Sequence, residues 1–198
     1  MRKIELKQAL PFILLIGGII GILCAGTLTV EKIQLLKHPD ERLACDLNPI
    51  VACGSVINTK QASAFGFPNP IIGLVGFGVV TTIGAAMLAG AQFKRWFWLG
   101  LQGGVVFAAG FIAWLQFQSI FRIHALCPFC MVVWSVTIPI IWYVTLYNLR
   151  EGHIPLKKQL QPAAHWAQRH HGDILISWYL VIAGVILYKF WYFWSTLI

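Results

Sequence analysis

Five long stretches of this chain, residues 9–30, 70–93, 96–121, 123–149 and 174–188, carry no acidic or basic side chain, and the last runs on past the single Lys189. A helix rises about 1.5 Å per residue and the hydrocarbon core of a bilayer is roughly 30 Å thick, so stretches of this length read as membrane spans. The composition agrees. With 198 residues, 58% hydrophobic and 11% charged, and a mean hydropathy of +0.73, the chain is too apolar for a soluble domain of its size and too short for several domains. These features predict an all-α integral membrane protein, one domain over residues 1–198. The first span follows a basic Met1-Arg2-Lys3 start, but its apolar run exceeds that of a signal peptide and no Ala-x-Ala site ends it, so it reads as a retained helix.

Orientation follows from Lys and Arg near the span ends, because loops rich in them stay in the cytoplasm. Arg2, Lys3, Lys7, Lys94, Arg95, Arg150, Lys157, Lys158 and Arg169 fall on one side, against Lys32, Lys37, Arg42, Lys60, Arg122 and Lys189 on the other, which predicts a cytoplasmic N-terminus. The margin is modest, because the loop after the first span is itself basic; its acids Glu31, Asp40, Glu41 and Asp46 count little. The net charge of +8 is accounted for by cytoplasmic loops facing anionic lipid, and no basic face interleaved with aromatics suggests nucleic-acid binding.

That topology places Cys45, Cys53, Cys127 and Cys130 together on the extracytoplasmic side, where disulfides persist. Cys127-Pro128-Phe129-Cys130 is a Cys-x-x-Cys pair at the start of a span. Pro128 fits the first helical position, which makes Cys127 the N-cap. The free backbone N–H groups and the helix dipole favour a thiolate there, with His124 and Arg122 placed to add to it. Cys45 and Cys53 lie in the one long polar connection between spans. Their spacing matches zinc poorly, and two dithiols on one side of a membrane suit electron transfer by thiolate exchange, with a mobile loop pair reaching outward and a fixed pair at a helix end. Cys24, inside the first span, reads as a packing residue.

Around these motifs the chain is plain. Pro39 and Pro49 break helices in the loop, and residues 55–65 have the spacing of a short amphipathic helix lying on the membrane as a lid. The connection 151–173 reads as a solvated cytoplasmic loop, and His153, His165, His170 and His171 within it have no ligand-spaced frame. A relay ending at the bilayer needs an acceptor. No dinucleotide fingerprint, haem-attachment motif or iron–sulfur ligand set is present, which leaves an apolar carrier such as a quinone. Trp96, Trp98, Trp114, Trp134 and Trp142 are available to line a pocket, but spacing singles out none of them.

The string from Cys45-Asp46-Leu47-Asn48-Pro49 to Ala52-Cys53-Gly54-Ser55-Val56-Ile57, then Phe67-Pro68-Asn69-Pro70-Ile71-Ile72-Gly73, then Cys127-Pro128-Phe129-Cys130, resembles bacterial members of the vitamin K epoxide reductase family. The resemblance covers about residues 9–148. It implies a four-helix transmembrane bundle around a quinone pocket, Cys127 and Cys130 as the active-site pair, and Cys45 and Cys53 as the shuttle pair; the last apolar stretch adds a fifth helix at 174–196 outside the resemblance. Bacterial relatives look like membrane oxidants that regenerate a DsbA-like, thioredoxin-fold disulfide donor. By position, Cys45 would meet the partner, Cys53 would exchange with Cys127, and Cys130 would face a ubiquinone or menaquinone. Helix-dipole reasoning, by contrast, favours Cys127 as the more stable thiolate and hence a leaving sulfur.

Asn69 aligns with the family's quinone-binding asparagine, and it reads equally as an N-cap before Pro70 whose amide nitrogen stays free. Thr59 fits the family's loop hydroxyl, or a turn residue. Trp134 stands where vertebrate members have a tyrosine; indole donates but never accepts a hydrogen bond, which favours quinone reduction over epoxide reduction. Many relatives continue into a thioredoxin-like domain and this chain stops at Ile198, so the expected partner is a separate protein. The expected activity is quinone-dependent thiol oxidation at the bacterial inner membrane. The alternative is a small membrane transporter or complex scaffold whose loop disulfides are structural; against it, the spans lack paired intramembrane charges. The residues leave open whether Cys45–Cys53 or Cys53–Cys127 is the resting disulfide.

Overall fold

A computed structural model describes residues 3–38, 43 and 45–195, with side chains from Leu6 onward; Arg2, Pro39, Asp40, Glu41, Arg42 and residues 196–198, which entered the topology and helix-breaking arguments, lie outside the described residues. Five helices are long and apolar enough to cross a membrane. They are α1 (Lys3–Lys37), α3 (Asn69–Leu88), α4 (Arg95–Phe117, prolonged by a π-turn at Gln118–Ile123), α5 (Pro128–Arg150) and α7 (His171–Lys189). The short helices α2 (Cys53–Ile57), α6 (Gln161–Arg169) and α8 (Trp191–Trp194) sit in the connections. The protein is an all-α, multi-pass membrane protein.

Within lipid, helices associate through close packing of small residues, since the solvent is as apolar as they are. Helix α1 packs along α3 on that principle. A Cβ added at Gly84 would lie 2.6 Å from the Leu15 backbone nitrogen and 2.8 Å from the Pro11 carbonyl oxygen, and one at Gly18 would meet Thr81. The two backbones therefore nearly touch. Helix α5 is central, packing against α1, α4 and α7. Away from the cysteines, fully buried Asn148 joins α5 to α4, its Nδ2 donating to Gln102 Oε1 (2.9 Å) and to the Trp98 carbonyl (3.3 Å). Asn148 Oδ1 is also paired with His153 Nδ1 at 3.0 Å.

Helix α7 packs Leu175, Ile182, Val185 and Ile186 against this core and adds polar contacts to α5. Pro139 has no N–H, so the Ser135 carbonyl one turn earlier lacks its helical donor; the Tyr179 hydroxyl supplies one at 2.6 Å. Trp142 Nε1 donates to the His171 carbonyl at 3.1 Å.

Two elements differ from their sequence expectation. Residues 55–65 form no continuous helix: α2 stops at Ile57, Thr59 is extended, and a 3-10 turn follows at Lys60–Ser63. The break arises because the α2 carbonyls find other donors, Ile57 O taking Lys32 Nζ at 2.9 Å and Val56 O taking the Thr59 hydroxyl at 2.7 Å. In the connection 151–173, expected as plain loop, Pro162 opens α6 in its first turn.

Gly84→Leu, which forces a side chain against the α1 backbone, should cost at least about 1–3 kcal/mol. Thermal unfolding in detergent will read this as a clear drop in melting temperature, whereas Gly100→Leu, at a position with open space around it, should leave melting unchanged. Equal melting of the two variants would refute the close-packing account.

Candidate functional site: a four-sulfur cluster

The site is built where two loops meet at one end of the bundle. After the π-turn, His124 adopts a left-handed conformation (φ 57°) that reverses the chain, and its N–H is held by the Ser119 carbonyl. The next residues run extended beside the loop that follows α1. Leu126 N donates to Ile50 O at 2.7 Å and Ala52 N to Leu126 O at 3.0 Å, a parallel bridge between Val51 and Leu126. Cys127 follows the bridge directly, and Cys53 lies two residues beyond Val51.

The loop that carries Cys45 and Cys53 is shaped by its own side chains. Asn48 Oδ1 accepts from Ile50 N (3.0 Å) and Val51 N (2.7 Å), and Asp46 Oδ1 accepts from Gly54 N at 2.9 Å. Glycine at position 54 lets this carboxylate come close, because a Cβ there would sit 2.9 Å from Asp46 Oδ2 and push it aside. These contacts hold Cys45 and Cys53 together, and the two are joined by a disulfide with Cα atoms 5.7 Å apart.

Cys127 caps α5 as expected, with extended backbone and its Sγ accepting from Cys130 N at 3.4 Å. Its sulfur lies 3.5 Å from Cys53 Sγ. Cys127 and Cys130 are unbonded, so this arrangement has the loop pair oxidised and the helix pair reduced. The hydrogen-bonded Cys130 side chain draws the Cys127 pKa below the ordinary thiol value, outweighing burial, which acts in the other direction; backbone donors at the helix start add to the lowering. His124 and Arg122, expected to contribute, are exposed and have no part in the shift. The helix-start argument holds while the cation argument does not.

Cys45, Cys53 and Cys127 are all buried, in a dry cluster with Leu28, Leu35, Leu43 and Ile57. Cys45 therefore does not reach outward in this conformation. Its sulfur faces Glu31, which the sequence reading counted only as a loop charge. Asp46, Asn48, Gly54 and Lys32 were likewise missed as positioning residues. The Asp and Asn flanking the first cysteine, both prone to bond nearby backbone, were the signal available for two of them.

Asn69 is buried in the first turn of α3 and does not cap that helix. Its Oδ1 accepts from Ala64 N at 2.9 Å and its Nδ2 donates to the Gln61 carbonyl at 2.7 Å, so its side chain clasps the loop before α3. Half of the amide donor capacity is thereby used. The Thr59 hydroxyl is committed to Val56 O, as a turn residue's is. Trp134 is buried in the core one turn after Cys130, which packs against the same cluster. Cys24 is buried and unpaired on α1. The histidines do not assemble: His153 meets Asn148, His170 pairs with Asp173, His171 meets Tyr143, and His165 lines a surface groove. Burial lowers the His153 pKa.

Residues 12–145, more than half of the chain, match the family model described as the vitamin K epoxide reductase family. The chain belongs to that family. No curated protein matches it. Membership, with two cysteine pairs in contact, makes this a membrane thiol oxidoreductase.

Cys130→Ala removes the largest influence that lowers the Cys127 pKa. With the loop disulfide intact, alkylation of Cys127 followed against pH should shift its midpoint to higher pH in the variant. A midpoint that stays put or falls would show that the helix start alone sets the thiolate.

Proposed function

We propose that this protein is a quinone-dependent thiol oxidase of the bacterial cytoplasmic membrane, which reoxidises a separate DsbA-like, thioredoxin-fold disulfide donor. The observation that carries the reading is the 3.5 Å approach of Cys127 Sγ to Cys53 Sγ, beside an intact Cys45–Cys53 disulfide. Reacting atoms about 3–3.5 Å apart are placed for exchange without further approach. Electrons pass from the partner to Cys45–Cys53, then through a Cys53–Cys127 disulfide to the Cys127–Cys130 pair. A depressed Cys127 pKa suits this, since the sulfur released when Cys45 closes onto Cys53 is Cys127, and a lower-pKa thiolate leaves faster.

Quinone supplies a two-electron, two-proton acceptor when bound. The fit of this chain to such a group rests on a buried donor without an acceptor, Gln116 Nε2, near the end of α4 that adjoins the start of α5. Asn69 Nδ2 keeps a second hydrogen for a carbonyl, and Trp134 contributes an apolar wall close to Cys130. Thr59 has its hydroxyl hydrogen engaged with Val56 O and would offer only lone pairs. The orientation with the cysteines extracytoplasmic is supported at the opposite end of the bundle. There Lys7 pairs with Glu151 at 3.0 Å and Arg95 Nε donates to the His153 carbonyl, which gathers basic side chains of two segments onto the connection after α5. The four-helix core over residues 9–148 carries the site and α7 braces it. Because Cys45 is covered, the loop must open for a partner to reach it.

The direction of electron flow is favoured by potential. A DsbA-type dithiol sits near roughly −120 mV and about 30 mV is worth about 1.4 kcal/mol, so an acceptor near or above zero drives oxidation. Purified protein mixed with reduced DsbA-like protein and a short-chain ubiquinone or menaquinone should consume quinone, and Cys53→Ala or Cys130→Ala should abolish that loss. Quinone consumption unchanged in both variants, or absent with either quinone and with a small dithiol as donor, would instead support a structural role for the disulfide.

A further inference from the structure

The group not yet given work is Glu31, a carboxylate on the last turns of α1, buried at 8% exposure inside the sulfur cluster. Both of its oxygens lie 3.4 Å from Cys45 Sγ. Among the described residues no Lys, Arg or His pairs with it, and the neighbouring Lys32 turns its ammonium to the Ile57 carbonyl. The charged group that bears on it is another carboxylate, Asp46. A buried carboxylate kept beside a like charge, with no cation paired to it among the described residues, is costly to retain for structure alone. Its oxygen and the sulfurs of Cys45 and Cys53 lie within 4.8 Å of one another, a grouping a metal could use, but the disulfide consumes both sulfurs.

We propose that Glu31 is the proton acceptor and donor for Cys45, the catalytic base of the step that closes the loop disulfide. The proposal rests on the relay described above and names the residue that handles its proton. In that step Cys53 is bonded to Cys127 and Cys45 is a thiol. Glu31 takes the thiol proton as the Cys45 Sγ–Cys53 Sγ bond forms and the Cys53–Cys127 bond breaks. Cys127 leaves with the electron pair as a thiolate, so Cys45 is oxidised and Cys127 reduced. On the next cycle the partner's dithiol releases Cys45 with its electron pair, and Glu31 returns the proton. A thiol of ordinary pKa is mostly protonated at neutral pH, and a dry site gives it no water to ionise into, so the base has to be built in.

The closure step can be isolated from quinone and partner. In protein carrying Cys24→Ala, Cys127→Ala and Cys130→Ala, a dithiodipyridine caps one loop thiol, and release of the second thiopyridone reports closure of Cys45–Cys53. General-base catalysis predicts a rate that is flat with pH between the carboxylate and thiol ranges. Glu31→Gln should slow closure on the order of 100-fold at pH 7 and make it rise tenfold per pH unit, as free thiolate then becomes the nucleophile. Glu31→Asp should recover part of the rate and the flat profile. A profile rising tenfold per unit with Glu31 in place overturns the proposal whether or not the variants fold, and so does a folded Glu31→Gln protein that closes as fast. Since the assay contains neither quinone nor partner, failure of the quinone-oxidase reading leaves its outcome intact.

Discussion

Two backbone hydrogen bonds, Leu126 N to Ile50 O and Ala52 N to Leu126 O, bring the two cysteine pairs of this protein together. They join a loop between α1 and α3 to the extended segment before α5, elements separated by more than seventy residues. Cys127 follows Leu126 directly and Cys53 lies two residues after Val51, so the register of the bridge sets the distance between these two sulfurs. At the edge of a membrane such a pairing has a second advantage. It satisfies backbone groups that would otherwise be buried without partners in the dry cluster.

The bundle beneath exists to hold that bridge still. Its cohesion comes from close approach of α1 and α3 through glycine, and from polar groups that each repair a specific deficit. Tyr179 serves the carbonyl orphaned by Pro139, and Asn148 spends its amide on α4. Helix α7, packed on the core through Leu175, Ile182, Val185 and Ile186 and tied by side-chain tips, lies against α5, the helix that carries the Cys-x-x-Cys pair.

Burial and chemistry pull against each other at the site. A dry cluster keeps the thiols from stray oxidants and hydrolysis, yet it opposes the ionisation that exchange requires. The opposition is resolved locally: the N-terminal donors of α5 and Cys130 favour the Cys127 thiolate, and a carboxylate lies against Cys45. With Cys45 covered and Cys53 Sγ 3.5 Å from Cys127 Sγ, the closed loop is arranged for exchange between the two pairs.

Hydropathy alone made the five spans legible, because the cost of burying charge in hydrocarbon leaves long uncharged runs no other fate. The Cys-Pro-x-Cys motif likewise announced its own N-cap, since proline tolerates few helical positions other than the first turn. The lid helix at 55–65 was misread because apolar spacing cannot see Lys32 and Thr59 capturing the carbonyls of α2. Asn69 was read as a cap because its local sequence is that of one, whereas its partners, Gln61 and Ala64, are chosen by the fold of the preceding loop. The amino-acid sequence by itself determined the membrane, the five spans and the paired cysteine motifs, all of them consequences of composition and short-range spacing. Tertiary structure alone decided that Cys53 faces Cys127 and that Glu31 faces Cys45, because those contacts depend on how distant segments pair and pack, and no local pattern encodes them.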